Sequence, residues 1–453
     1  MNIGFNETLS EQDEVETGMK KFGTEEERRE YRRKRKQRNQ ILAYIGLFII
    51  VAAMGVGIVA GVKAIAEKEQ EEVQESSQEI IEDLFASEES MEVPEETEIV
   101  PELTAEEKLD IFIEEQIAQM PLNEKVAGLF FVTPESITGV NTAVQAGEGT
   151  KTALEKYAVG GLIYFKKNIQ SKEQIMEMIV KSQEYSKYPL FIGVDEEGGK
   201  VNRVADAGLA QAAASAADIG ATGDANNAYQ AGVQIGMYLS ELGFNVNFAP
   251  VADIANVPDS VMKDRSYGFD GETVAPFVTS MMTGLQENGV TACLKHFPGI
   301  GSTTADTHTG LSSTDRSADE FRNQEFAVFQ AGIDAGARMI MVGHINVPML
   351  DSDNNPASMS KTVITDMLRG ELGYDGVIVT DALNMSAIAE YYSSEQAAIL
   401  ALKAGCDMLL MPENFLQAYA GVMTAVSEGT ISEQRINDSL KRIYRIKYAD
   451  LDL

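Results

Sequence analysis

The chain has 453 residues, with 37 Lys plus Arg against 70 Asp plus Glu and a formal net charge of −33. That acidity excludes nucleic acid as a partner, because a phosphate backbone needs a basic surface, while the length allows at least one large core. Two cysteines, Cys293 and Cys406, make no disulfide framework, and their apolar neighbours predict buried thiols.

The charge is unevenly spread. Residues 28–38 (RREYRRKRKQR) hold eight Arg or Lys and one Glu. Ile41 to Val62 follows without a single charge. As a helix it would span about 33 Å, enough for a bilayer core of about 30 Å. A cleaved signal peptide fits less well, since the apolar run begins about 40 residues in and is too long. The reading is an uncleaved transmembrane helix over 41–62. Residues 1–40 form a basic cytoplasmic tail, and the positive-inside rule puts everything after it outside the cell. Residues 67–102 contain fifteen Asp or Glu and one basic residue, Lys68. Like charges at this density extend a chain, so 63–103 is expected to be an acidic extracellular linker.

From Thr104 onward the texture is globular. A short helix comes first, carrying Leu109, Ile111, Phe112, Ile117 and Met120 ahead of a turn at Pro121. Eight apolar runs follow at Gly128–Val132, Gly161–Phe165, Leu190–Asp195, Phe244–Val251, Thr291–Phe297, Met339–His344, Gly376–Asp381 and Asp407–Met411. None alternates, as expected of strands buried on both faces. Helical stretches lie between most of them, such as Lys172–Ser186, Ala225–Leu242, Ala318–Ala335 and Lys361–Leu372. Ser432–Tyr448 reads as a closing helix with Ile436, Leu440, Ile443, Tyr444 and Ile446 on its apolar side. Eight strand-then-helix units predict one α/β domain over 104–453, a single (β/α)8 TIM-type barrel, with an open doubly wound sheet as the alternative.

Barrel chemistry gathers at the C-terminal ends of strands. Asp195 ends the third run, Lys295 and His296 the fifth, His344 the sixth and Asp381 the seventh, with Asp253 just past the fourth. The chain has only three histidines, and His296 and His308 fall within thirteen residues of each other. Asp306 and His308 read as a proton-transfer dyad on a loop, since imidazole titrates near neutral pH and a carboxylate orients it. Metal-assisted hydrolysis lacks an H-x-H or HExxH pattern, and no metal or cofactor is expected. Phosphate handling has only the fragment Gly198-Gly199 with Lys200. Glycoside cleavage needs a nucleophile or base on one side of the sugar and an acid on the other, and Asp381 and His308 supply both.

Six segments in order resemble glycoside hydrolase family 3, specifically its NagZ-type β-N-acetylhexosaminidase branch. They are Phe191 to Arg203 (FIGVDEEGGKVNR), Asn247 to Asp253 (NFAPVAD), Asp264 to Gly268 (DRSYG), Lys295 to Gly299 (KHFPG), Pro356 to Ser360 (PASMS) and Gly373 to Met385 (GYDGVIVTDALNM). The resemblance spans about residues 105–448. It implies Asp381 as nucleophile, His308 as general acid and then base, and Asp306 as its orienting partner. It also implies that Asp195, Arg203, Arg265, Lys295 and His296 bind the sugar, with His344 as a further contact. Two departures stand out: Ile300 occupies the place of a frequent second His, and Ala382 that of a frequent second Asp.

The expected activity is a retaining, exo-acting β-N-acetylglucosaminidase on terminal N-acetylglucosamine of cell-wall fragments, membrane-anchored with its catalytic domain outside. Alternatives are a β-glucosidase of the same family, which usually carries a second domain, and an inactive wall-binding protein. A neutral imidazole acid/base would also admit an anionic acceptor, so phosphorolysis is a further hypothesis.

Overall fold

A computed structural model describes residues 103–451 apart from 305–309 and 354. The basic tail, the 41–62 apolar run and almost all of the acidic segment lie outside the described residues. Among the described residues no helix is long and apolar enough to cross a membrane.

The chain enters through a helix at Ala105–Gln119, started by a capping box in which Thr104 and Glu107 satisfy each other's backbone N–H groups. Ile113 and Ile117 are its buried residues, whereas Ile111, expected on the apolar side, is 44% exposed. Each of the eight apolar runs then contains a strand. These are β1 (Phe130–Val132), β2 (Gly161–Ile163), β3 (Phe191–Val194), β4 (Val246–Asn247), β5 (Thr291–Phe297), β6 (Met339–Val342), β7 (Val377–Thr380) and β8 (Leu409–Leu410). Every strand residue is buried, which explains why the runs carry no polar alternation.

The strands pair in parallel in the spatial order β7-β6-β5-β4-β3-β2-β1-β8. Register is set by pairs such as Phe131 with Gly161, Gly193 with Val246 and Cys293 with Met339. The two edges then meet. Val379 bridges Met408, Met408 N–H donates to Ile378 O at 3.0 Å, and Thr380 N–H donates to Met408 O at 3.1 Å. The sheet is thus a barrel rather than the open alternative, nearly closed through this short seam.

Aromatic rings fill the interior. Phe131 stacks on Phe191 with centroids 6.2 Å apart and meets Phe248 edge-on at 5.2 Å. Gly193 makes room for it, since a Cβ there would sit 2.6 Å from Phe131 Cζ. Cys293 and Cys406 are buried free thiols.

The outer helices follow the predicted stretches with small trims, at Lys172–Tyr185, Asn226–Leu242 and Thr362–Glu371. Thr362–Glu371 is wound as a π-helix, and one further stretch is not continuous. The stretch expected as a single helix over Ala318–Ala335 is two, Ala318–Asn323 and Glu325–Asp334, broken at Gln324. Gln324 leaves helical geometry (φ −123, ψ −81) and its side-chain oxygen accepts Gly271 N–H at 2.9 Å. The break turns Glu325 inward, where it is 1% exposed.

The closing helix, Glu433–Lys447, buries Ile436, Leu440, Ile443 and Tyr444. It clamps the first helix through Arg445, which holds both carboxylate oxygens of Asp110 at 2.7 and 2.6 Å. Asp407, before β8, is fully buried and neutralised by Arg369 and Arg442, with Ser439 Oγ donating at 2.7 Å. The first and last described helices thus lock one side of the barrel, and loops on the other side line the cavity described below.

Candidate active site

Loops beyond the C-terminal ends of the strands surround a cavity of about 350 Å3. Asp195, Arg203, Arg265, Lys295, His296 and Asp381, dispersed over 187 positions of sequence, all line it. Phe165, Met341, Met385 and Met411 supply apolar wall in a chain without tryptophan.

Lys295 and His296 are neighbours in sequence, and neighbouring strand residues ordinarily face opposite ways. Here the β5–β6 register shifts between Leu294 and Phe297, which brings both side chains to the cavity. Lys295 is buried, with Nζ 2.8 Å from Asp195 Oδ1 and 2.6 Å from Glu197 Oε1. Arg265 grips Glu197 with two parallel bonds, Nε to Oε2 at 2.8 Å and Nη2 to Oε1 at 2.8 Å. Burial acts to raise the Glu197 pKa, but the charges of Lys295 and Arg265 outweigh it and hold the carboxyl far below its ordinary value. Arg265 is therefore a partner of Glu197 first, with its fork already occupied.

Arg203 is differently placed. Its guanidinium lies 5.8 Å from the Phe165 ring centroid, and its buried Nε has no hydrogen-bond partner among the described residues.

His296 Nδ1 lies 2.7 Å from Asp253 Oδ2, and Asp253 also accepts Ile300 N–H at 2.6 Å on Oδ1. Asp253 is fully buried, so it belongs behind the ring and not among the ligand-facing groups. Ile300, in place of a frequent family histidine, is 4% exposed and packs beside Gly343, so that departure has become core.

Asp381 follows β7 directly. Its N–H donates to Val342 O at 2.9 Å, and its Oδ1 accepts Ala382 N–H at 2.7 Å. Burial pushes its pKa up, but His296, His344, the Ala382 N–H and Lys295 together bring it below the ordinary aspartate value. Asp381 is thus a carboxylate at neutral pH, half-buried on the cavity wall.

His344 lies against Ser358 and the turn after β7. It is fully buried, absent from the cavity wall, and bonded to Ser358 and to the Ala382 carbonyl. Asp306 and His308 lie within 305–309, outside the described residues. On either side of these residues, Ser302 Oγ lies 3.1 Å from Thr314 Oγ1, and Thr303 O accepts Val261 N–H at 3.1 Å.

Residues 112–446 match the model of the glycosyl hydrolase family 3 N-terminal domain. The chain belongs to glycoside hydrolase family 3. It is 34% identical to Beta-hexosaminidase A of Pseudoalteromonas piscicida over 324 residues, covering 65% of this chain and 54% of that protein. A Beta-hexosaminidase of Nitrosomonas eutropha is 35% identical over 270 residues, covering 58% of this chain and 76% of the relative. Among solved structures, a family 3 β-N-acetylglucosaminidase from Paenibacillus superposes with a TM-score of 0.68 at 34% identity. That match covers 74% of this chain and 64% of the other. The chain thus spans about half the length of the Pseudoalteromonas relative, and its similarity runs to the NagZ-type branch.

Within this family 3 barrel, sequence reasoning missed Glu197. The signal was present: Asp195 and Glu197 stand two apart at the end of β3, and such residues share a face. The glycine pair after it has a structural use. Gly198 (φ +95) and Gly199 (φ +61) turn the hairpin between Glu196–Gly198 and Val201–Asn202. A Cβ at either would meet Ala214 O at 2.5 Å or Ser215 Cβ at 2.7 Å. Lys200 pairs with Asp264 on the surface, so the fragment considered for phosphate is a tight turn that presents Asp195 and Glu197.

Proposed function

We propose that this chain is a retaining exo-β-N-acetylglucosaminidase in which Asp381 is the nucleophile and His308, oriented by Asp306, is the acid and then the base. The observation that carries the reading is Asp381 itself. It is a carboxylate kept ionised on the wall of a small cavity, with Lys295, His296 and Arg203 around the same space. At about 350 Å3 the cavity lies near the small end of ligand pockets, which run roughly 300–1,000 Å3, as release of one terminal sugar requires.

In the first step an Asp381 oxygen attacks the anomeric carbon while His308 gives its proton to the departing glycosidic oxygen. The glycosyl–Asp381 ester then breaks as water attacks, and neutral His308 takes the water's proton. Two inversions give net retention. Asp195, Lys295, His296 and Arg203 hold the hydroxyls of the sugar, and Arg265 acts mainly by keeping Glu197 and Lys295 in place. The fixed cations also favour ionised Asp381 before attack.

The branch to which the similarity runs supports N-acetylglucosamine over glucose as the sugar. The basic tail followed by an uncharged 22-residue run supports a single-pass anchor with the barrel outside the cell, where cell-wall glycan is the substrate. The test is chromophore release by the full chain from aryl β-N-acetylglucosaminide against aryl β-glucoside. Preference for the first is expected; preference for the glucoside, or no turnover of either, overturns the reading.

A further inference from the structure

His344 stands behind Asp381. Its Nε2 lies 3.0 Å from the Ala382 carbonyl oxygen. A carbonyl only accepts, so Nε2 carries the proton. On the other side Nδ1 lies 2.7 Å from Ser358 Oγ, within hydrogen-bond distance. Ser358 sits in the short helix Ala357–Met359, and its N–H donates to Gly343 O at 3.2 Å. The imidazole is therefore clamped by the stretch that follows β6, with one N–H directed at the turn that follows β7.

That turn holds the nucleophile. Ala382 is fixed at both ends: its N–H donates to Asp381 Oδ1 at 2.7 Å, and its carbonyl accepts from His344 and from Met385 N–H at 3.0 Å. Asp381 Oδ2 takes no hydrogen bond from the described residues. The two oxygens are thus distinguished by the backbone of one residue, and the orientation of that residue is held by a histidine ring.

We propose that His344 is a positioning residue for the nucleophile. Through the Ala382 carbonyl it sets the backbone that turns an N–H onto Oδ1, so that Oδ2 is presented to the anomeric carbon. This rests on the reading of Asp381 as nucleophile. It differs from a sugar-contact role because it requires only a donor at the Nε2 position. A glutamine side chain puts its amide nitrogen near that position, whereas asparagine reaches only the Nδ1 position.

The experiment compares His344→Gln, His344→Asn and His344→Ala in the full chain. It measures kcat with an aryl β-N-acetylglucosaminide, the inhibition constant of free N-acetylglucosamine and the melting temperature. His344→Ala and His344→Asn are expected to lower kcat by about 100-fold, the scale of a misplaced reacting group. The inhibition constant should stay within about twofold, because ground-state sugar binding is untouched. His344→Gln should recover kcat to within about tenfold of the parent, at a melting temperature like that of His344→Asn. Ser358→Ala, which loosens the ring without removing it, should lower kcat by a smaller factor at unchanged sugar inhibition and keeps the test open if His344→Ala fails to fold. Equal kcat for the Gln and Asn variants, or a weakened inhibition constant with kcat preserved, overturns the proposal. A parent enzyme that turns over no aryl glycoside overturns instead the hexosaminidase reading on which it rests.

Discussion

Glu197 Oε1 lies 2.6 Å from Lys295 Nζ, and both side chains are buried in the wall of the cavity. Arg265 is bonded to the same carboxylate, so this anion serves two cations, and Lys295 has Asp195 as its other partner at 2.8 Å. Removing one partner of a buried ion pair leaves uncompensated charge, at a cost of about 3–5 kcal/mol. Glu197→Ala is therefore expected to lower stability by that amount in urea unfolding, and to weaken sugar binding through Lys295. The pH dependence has a definite sign. The folded pKa of Glu197 is depressed, so its contribution is complete above the ordinary value of 4.5 and is lost as pH falls towards the folded value. An unchanged urea midpoint in the Ala variant would show that the cluster contributes nothing to folding.

Glu325 works in the opposite direction. Burial beneath the Gly299 turn, only partly offset by Arg316 at 3.0 Å, pushes its pKa up to about 7. A carboxyl raised above its unfolded value binds protons more strongly in the folded state. Stability should fall as pH rises from about 4.5 to about 7, by at most about 3 kcal/mol. Glu325→Gln should flatten that slope and melt higher than the parent at pH 8 relative to pH 5. Parallel melting curves for the two proteins across that range would refute the assignment.

Arg203 lines the cavity with its guanidinium 5.8 Å from the Phe165 ring centroid. A hydrogen bond from a charged group contributes about 1.5–3 kcal/mol, so Arg203→Ala should lower kcat/KM by roughly 10- to 100-fold. Arg203→Lys should recover little, since an ammonium lacks the planar fork and its stacking on Phe165. Full recovery by Lys would mean that only the charge matters.

Asp381→Asn should abolish turnover of every glycoside, because the amide cannot form the covalent ester. His308→Ala should separate substrates. Poor leaving groups need protonation, whereas activated aryl groups do not, so loss on the former should exceed loss on the latter by about 100-fold or more. Equal losses on both would remove His308 from the role of acid.

Much of the site was legible along the chain because polar residues at the ends of wholly apolar runs have few structural reasons to be there. Asp195, Lys295, His296 and Asp381 stood out on that ground, and all line one cavity. Arg203 and Arg265 came from the family resemblance, and geometry then separated them: one has a buried Nε without a partner, the other spends its fork on Glu197. Glu197 was hidden inside a run of two acids and two glycines, where only its register with Asp195 marked it. His344 was expected to touch sugar because it ends a strand. The direction of its ring depends on Ser358 and Ala382, which lie 14 and 38 positions away. The break at Gln324 escaped notice because helical periodicity continues through it, while its cause is an N–H on the distant Gly271.

The sequence by itself determined the eight buried strands and the closing helix, and it marked Asp195, Lys295, His296 and Asp381 as polar ends of apolar runs, since burial on both faces is a property of local residue type. Only the tertiary structure decided that the sheet's edges meet at Val379 and Met408, which cation serves Glu197 and which keeps an unfilled donor, and on which side of Asp381 His344 lies. Those outcomes depend on distances of a few ångströms between residues far apart in the chain, and electrostatic and hydrogen-bond energies are set by such distances rather than by composition.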